Sequence, residues 1–218
     1  MDAKHEICTM QTLLIAATEQ EVQPFIAAHP GFDALICGAG VPSTLYHLQK
    51  RMQQIDYDLI IQAGIAGTFS KDINPGQTVV VKQDAFADLG TECEEEFKTI
   101  FDAGLADKNE FPFEEGWLIN KNEIITRSTL HAVKAVTVNK VTDDLLQKRQ
   151  ICHHFSPHVE SMEGAALHYV CLQEKIPFIQ LRAVSNMVGE RNKTKWKMKE
   201  AIESLNIELS ALIHGLTN

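Results

Sequence analysis

Two carboxylates, one arginine and an adjacent serine–asparagine pair are the residues here whose types and spacing fit acid–base and hydrogen-bonding chemistry. Glu163 heads a segment in which Met162, Ala165, Ala166, Tyr169 and Val170 fall at helical spacing. Arg182 lies inside the apolar run 178–184, which reads as a buried strand. A buried charge is costly unless it is paired, and Glu163 is the obvious partner. Ser185 and Asn186 follow at what would be the strand's carboxyl end. Glu21 falls in the first turn of another helical stretch, just past a strand. There it either complements the helix dipole or takes and returns a proton in a reaction. Glu163 likewise either neutralises Arg182 in the core or faces a ligand.

These residues need a frame that brings positions 21, 163 and 182–186 together. Residues 12–18 form a continuous apolar run, as expected of a strand covered on both faces. Residues 19–29 place Val22, Phe25 and Ile26 at helical spacing. Residues 33–37 read as a strand, 38–40 as a glycine turn and 41–53 as a helix. Residues 58–62 read as a strand, and the following AGIAGTF as a loop. In it Gly64, Ala66 and Gly67 let a ligand approach the backbone, or simply make a tight turn. Further strands are expected at 78–82 and 134–138, and helices at 142–150 and 197–216. Residues 84–116 mix charges, glycines and aromatics, so the 84–130 region is expected to be a partly helical excursion with a solvated acidic face at 94–96. Phe97, Phe101, Phe111, Phe113 and Trp117 pack locally there or at a subunit interface. The alternation of strands and helices indicates an α/β fold. It is read as one domain over 1–218, with a mainly parallel central sheet flanked by helices and residues 1–10 flexible. In such sheets ligands gather at the carboxyl ends of strands.

Composition narrows the function classes. The chain has 218 residues, 44% hydrophobic, and a formal charge of −9. That balance argues against a nucleic-acid partner. No apolar run approaches the ~20 residues of a membrane span, and residues 1–11 are too polar for a signal peptide. Cys8, Cys37, Cys93, Cys152 and Cys171 are scattered, odd in number and without a CxxC pair, which favours reduced thiols in the cytoplasm. The GAG turn at 38–40 lacks the third glycine and the acidic ribose ligand of a dinucleotide fingerprint. His153, His154 and His158 cluster, but no carboxylate or cysteine joins them at a recognised metal-ligand spacing.

SMEGAA at 161–166, VC at 170–171, IPF at 176–178 and RAVSN at 182–186 resemble the nucleoside phosphorylase and nucleosidase superfamily. Within it, SNMVGERNKTKW at 185–196 looks closest to the futalosine hydrolases. The resemblance extends over nearly the whole chain and is weakest at 90–130. It implies a purine nucleoside phosphorylase-like fold and hydrolysis of a purine nucleoside, futalosine, to hypoxanthine and dehypoxanthine futalosine. It implies no organic cofactor and no metal.

By the same resemblance, EQEV at 19–22 makes Glu21 the catalytic acid/base that activates water. Glu163 and Met162 hold the ribose, Arg182 orients the water, and Ser185 and Asn186 meet the purine edge. The Gly64–Ala66–Gly67 segment lines the ribose side, and Trp196 resembles a lid aromatic. Arg191 is added on chemical grounds, since its planar fork suits a carboxylate on the substrate tail. Asn186 stands where methylthioadenosine/S-adenosylhomocysteine nucleosidases carry Asp. Its amide donates to a 6-carbonyl and accepts from a protonated N7, which fits hypoxanthine or guanine better than adenine. Rival readings are a purine nucleoside phosphorylase, an adenine nucleosidase and a non-catalytic purine-binding module. The phosphorylase is weakened because no arginine stands in the 64–67 segment or beside Gly40. The expected assembly is a homodimer or larger homo-oligomer.

Overall fold

A computed structural model describes residues 10–94 and 96–217. The expected flexibility of residues 1–10 falls, apart from Met10, outside the described residues, as do Cys8 and Glu95. The chain begins β1 (Thr12–Ala16), α1 (Glu19–Ala28), β2 (Ala34–Ile36), α2 (Val41–Met52), β3 (Leu59–Thr68) and β4 (Thr78–Asp84). A hairpin of β5 (Gly90–Cys93) and β6 (Glu96–Thr99) follows, then β7 (Leu118–Ile119) and the short α3 (Glu123–Arg127). The last part runs β8 (Ala132–Thr137), α4 (Leu145–Phe155), β9 (Val159–Ser161), α5 (Gly164–Glu174), β10 (Phe178–Met187) and α6 (Met198–Thr217).

The sheet is α/β in character but not simply parallel. β3 pairs in parallel with β10, β10 antiparallel with β4, β4 parallel with β8, β8 parallel with β9, and β9 antiparallel with β3. These five strands close into a barrel-like ring. β1 and then β2 extend it in parallel from β3. The expected α/β sheet flanked by helices is present and most of its pairings are parallel, but it is mixed and closes on itself. Ten-residue β3 has two partners on one edge: Leu59–Gln62 pair with β1, and Gly67–Thr68 pair with β9. That second pairing closes the ring. The predicted loop after residue 62 is therefore strand, because β10 runs beside it as far as Met187.

Burial follows from this closure. α1 and α6 cover one face, with Val22, Phe25, Leu205 and Leu209 packed on Ile61, Leu181 and Ala183. α2 and α5 cover the other, with Leu48, Leu167 and Cys171 against Leu13, Ile15, Ile60 and Phe178. Ala66, Val79, Val133, Val159 and Val184, one from each ring strand, pack together at its centre. The 84–130 region is less helical than expected, with α3 as its only α-helix among the described residues. Its aromatics pack locally: Phe101 meets Phe113, Phe113 meets Tyr169, and Trp117 meets Phe155, while Phe111 is exposed.

Candidate active site

A cavity of about 600 Å³ opens at the carboxyl ends of β1, β3 and β10. Glu21, Ala66, Gly67, Met162, Glu163, Ser185, Asn186, Arg191 and Trp196 all line it, as nine of the eleven residues singled out in the sequence. Arg182 and Gly64 do not; they lie immediately behind its wall. This is where the general rule for α/β sheets puts a ligand.

Glu21 is the third residue of α1, and its side chain turns back over the helix start. Oε2 accepts from the Thr18 backbone N–H and hydroxyl, both at 2.9 Å. Oε1 accepts from the Ile65 N–H at 3.0 Å. The first contact is half of a capping box, so the dipole-complementing role and the cavity placement coexist. Pro24 removes one N–H from the α1 ladder. Asn206 of α6 is inserted just beyond it: its amide accepts from Phe25 N and donates to Glu21 O, each at 2.9 Å. The backbone of Glu21 is thereby fixed to a helix 185 residues away.

Glu163 caps the start of α5 rather than lying within the helix. Its Oε1 accepts from Gly40 N at 3.0 Å, and its Oε2 lies 3.4 Å from Arg182 Nη1. Gly40 has φ +89° and is the N-cap of α2, so a helix N-terminus faces the carboxylate. Arg182 is 1% exposed and also donates to Gln62 Oε1 at 3.0 Å and to Ile65 O. A Cβ at Gly64 would stand 2.5 Å from Arg182 Nη1 and 3.1 Å from Glu21 Oε1. Gly64 thus lets the guanidinium and the Glu21 carboxylate press against one point of β3. The two glutamates and the arginine are neighbours, as the charge argument requires.

Behind α5 lies a second polar group that no sequence argument reached. Thr137 Oγ1 donates to Asp84 Oδ1 at 3.0 Å and accepts from Ala165 N at 2.7 Å. Gln180 donates to Asp84 Oδ2 at 3.3 Å. Burial pushes the Asp84 carboxyl up to about 6, against the lowering effect of the Thr137 hydroxyl. His168, fully buried, bonds Leu118 O at 2.9 Å, and burial pushes its imidazole down to about 4.

Ser185 and Asn186 belong to β10, not to a loop after it. The Ser185 hydroxyl donates to Asn186 Oδ1 at 2.7 Å, and Asn186 Nδ2 donates to Met187 O at 2.9 Å. At the cavity mouth Arg191 pairs with Asp143 at 2.6 Å, and Trp196 Nε1 donates to Glu190 O. Glu160, Thr142 and Asp143 also line the cavity and were missed. Glu160 had little signal: its strand, Val159–Ser161, has one apolar residue and no apolar run for a charge to interrupt. Asp143 had none. The three histidines do not converge: among the described residues no group of His, Cys, Asp or Glu is placed to hold a metal ion.

With carboxylates held by backbone donors on two sides and an amide on a third, the cavity can orient a polar ring compound and move a proton. The phosphorylase superfamily matches residues 10–214. A futalosine hydrolase of Streptomyces coelicolor is 30% identical over 198 residues, covering 84% of this chain and 80% of that protein. A futalosine hydrolase structure from Helicobacter pylori superposes with a TM-score of 0.78 at 12% identity, covering 94% of this chain and 99% of that one. A Helicobacter pylori MTAN mutant with 5′-methylthioadenosine in its active site gives 0.80 at 12% identity, over 95% and 99%. At such identities the two structures speak for the fold.

Proposed function

The chain belongs to the phosphorylase superfamily, among its futalosine hydrolases, and on that ground we propose that it hydrolyses futalosine to hypoxanthine and dehypoxanthine futalosine, a step of menaquinone synthesis. The observation that carries the reading is the pair of buried glutamates, Glu21 and Glu163, on one cavity, with Arg182 paired to Glu163 behind its wall. Residues 1–218 act as one cytoplasmic nucleosidase domain that works as a homo-oligomer and needs no cofactor.

Cleaving an N-glycosidic bond leaves positive charge on the sugar and negative charge on the base, and carboxylates serve such a transition state well. Glu163 accepts from the ribose hydroxyls and favours charge at C1′, with Met162 as a polarisable surface under the ring. Glu21 takes the proton of the attacking water. Arg182 acts through the two carboxylates and orients that water, and Gly64 allows its approach. Ala66 and Gly67 give the ribose a backbone wall. Ser185 fixes the Asn186 oxygen, and Asn186 meets the O6 and N7 edge of the departing base. Trp196 closes over the 5′ substituent, and Arg191 exchanges Asp143 for the substrate's carboxylate.

The test is a panel of futalosine, aminofutalosine, inosine and methylthioadenosine, compared by kcat/KM. Futalosine should lead, and aminofutalosine should trail it by at least about tenfold. A lead for methylthioadenosine would replace this reading with an adenine nucleosidase.

A further inference from the structure

Among the described residues, two neighbouring side chains on the cavity wall carry buried polar atoms that make no well-formed hydrogen bond. Glu160 is 5% exposed and its Oε2 has no hydrogen-bond partner. Thr142 is 1% exposed and its hydroxyl has none either. Both residues line the cavity. Orphaned buried polar atoms are costly and uncommon, and each calls for an explanation. These two are coupled. Thr142 N donates to Glu160 Oε1 at 3.0 Å, which anchors the 141–143 wall and leaves the second carboxylate oxygen over.

The strand register places Glu160 opposite a residue already assigned to the base. Asn186 of β10 pairs with Gly67 of β3, and Gly67 pairs with Glu160 of β9. The three form one row across adjacent strands, with no side chain on the middle residue. Adjacent strands lie about 4.8 Å apart, so the outer two backbones stand roughly 10 Å apart. A Cβ on Gly67 would meet Val188 Cγ2 at 3.0 Å and Asn186 Nδ2 at 3.5 Å, so those two side chains lean over the glycine and leave little room for a larger residue. The cavity that Asn186 and Glu160 both line can take a flat fused ring reached on two adjoining edges by hydrogen bonds of about 2.9 Å.

We propose that Glu160 is a second base-reading residue: its Oε2 accepts the N1–H of a 6-oxopurine while Asn186 holds the adjoining O6 and N7 edge. The assignment rests on the purine nucleosidase reading above. A 6-oxopurine carries hydrogen on N1 and a carbonyl at C6. The N1–H fits the unpaired carboxylate oxygen, and the Thr142 hydroxyl is available to donate to O6 beside it. A 6-aminopurine carries a lone pair on N1, which would face the carboxylate acceptor to acceptor. The amino base is therefore refused at N1 as well as at position 6.

Binding of the free bases tests this without any turnover. Hypoxanthine, 1-methylhypoxanthine and adenine are titrated calorimetrically into the wild-type chain and into Glu160→Gln. The glutamine keeps an acceptor for Thr142 N–H but presents NH2 to N1. Wild type should bind hypoxanthine at least about tenfold more tightly than either other base. Glu160→Gln should weaken hypoxanthine by a similar factor and narrow or invert its lead over adenine. Equal wild-type affinity for hypoxanthine and its N1-methyl derivative overturns the proposal, and so does an unchanged hypoxanthine-to-adenine ratio in folded Glu160→Gln. Futalosine turnover, measured on the same samples, reports separately on the substrate: its loss with N1 dependence intact would overturn that reading and leave Glu160 in place.

Discussion

At the residue scale, the two carboxylates on one cavity to which we propose different work also differ in their partners. Glu21 receives three hydrogen bonds from Thr18 and Ile65, and among the described residues none from a cation. Glu163 receives one backbone N–H and faces Arg182. Glu21→Gln should keep the fold and substrate binding and lower kcat by roughly 10²–10⁴-fold, the usual worth of a general base. Near-normal turnover by the folded variant would remove Glu21 from the chemistry. Asn186→Asp should narrow or reverse the preference for futalosine over aminofutalosine, because a protonated Asp donates to N7 while its other oxygen accepts from the 6-amino group. The comparison is kcat/KM for both substrates with both proteins, and an unchanged ratio would strip Asn186 of its role. Arg182 was legible in sequence because it charges an apolar strand, and Glu163 as its nearest partner; Glu21 at a helix start follows the ordinary dipole pattern, and only the EQEV resemblance set it apart. Asp143 and Asn206 break no local pattern. One is a mouth residue whose partner lies in another loop, and the other resembles any polar residue on an amphipathic helix.

At the element scale, helix starts do the positioning. α1 presents Glu21, α2 gives Glu163 an N–H, and α5 is held at its first turn by Thr137 and Asp84. α6 stabilises α1 where Pro24 weakens it, through Asn206. Asn206→Leu should leave Phe25 N and Glu21 O buried without partners and cost roughly 2–4 kcal/mol. It should also lower kcat, since Glu21 loses its backbone anchor. Urea denaturation and steady-state kinetics on the same protein separate the two effects, and a stability loss with unchanged kcat would make the contact purely structural. The helices over 19–29, 41–53 and 197–216 were read close to their observed bounds because their apolar spacing is regular. Residues 63–68 were read as a loop because glycines signal turns locally. Only the long-range partner β10 makes them strand, and no local pattern carries that information.

At the scale of the whole molecule, ring closure gives α5 a wall to pack on and seals polar groups between the two. It was also the part of the fold least visible in sequence: it depends on β9 meeting the end of β3, a pairing of only two residues on that strand. Asp84 and His168 are the clearest of these groups. The folded pKa of Asp84 is raised to about 6, so its contribution to stability is present below its ordinary range and is lost as pH rises through about 6. That of His168 is lowered to about 4, so its contribution is present above about 6.5 and is lost as pH falls through about 4. The two slopes oppose each other over the same window. Asp84→Asn should therefore make stability rise with pH between about 4 and 6, relative to wild type, by on the order of 3 kcal/mol. Urea midpoints across that pH range check it, and parallel profiles for variant and wild type would contradict it.

The central claim is that water, with no second substrate, splits futalosine in this cavity. It is tested most directly by incubating the wild-type chain with futalosine, with and without excess inorganic phosphate, and identifying the products by chromatography and mass. The account predicts hypoxanthine and dehypoxanthine futalosine in both cases, at equal rates, and loss of both products in Glu21→Gln. A sugar 1-phosphate product, or turnover that requires phosphate, would contradict it and make the chain a phosphorylase.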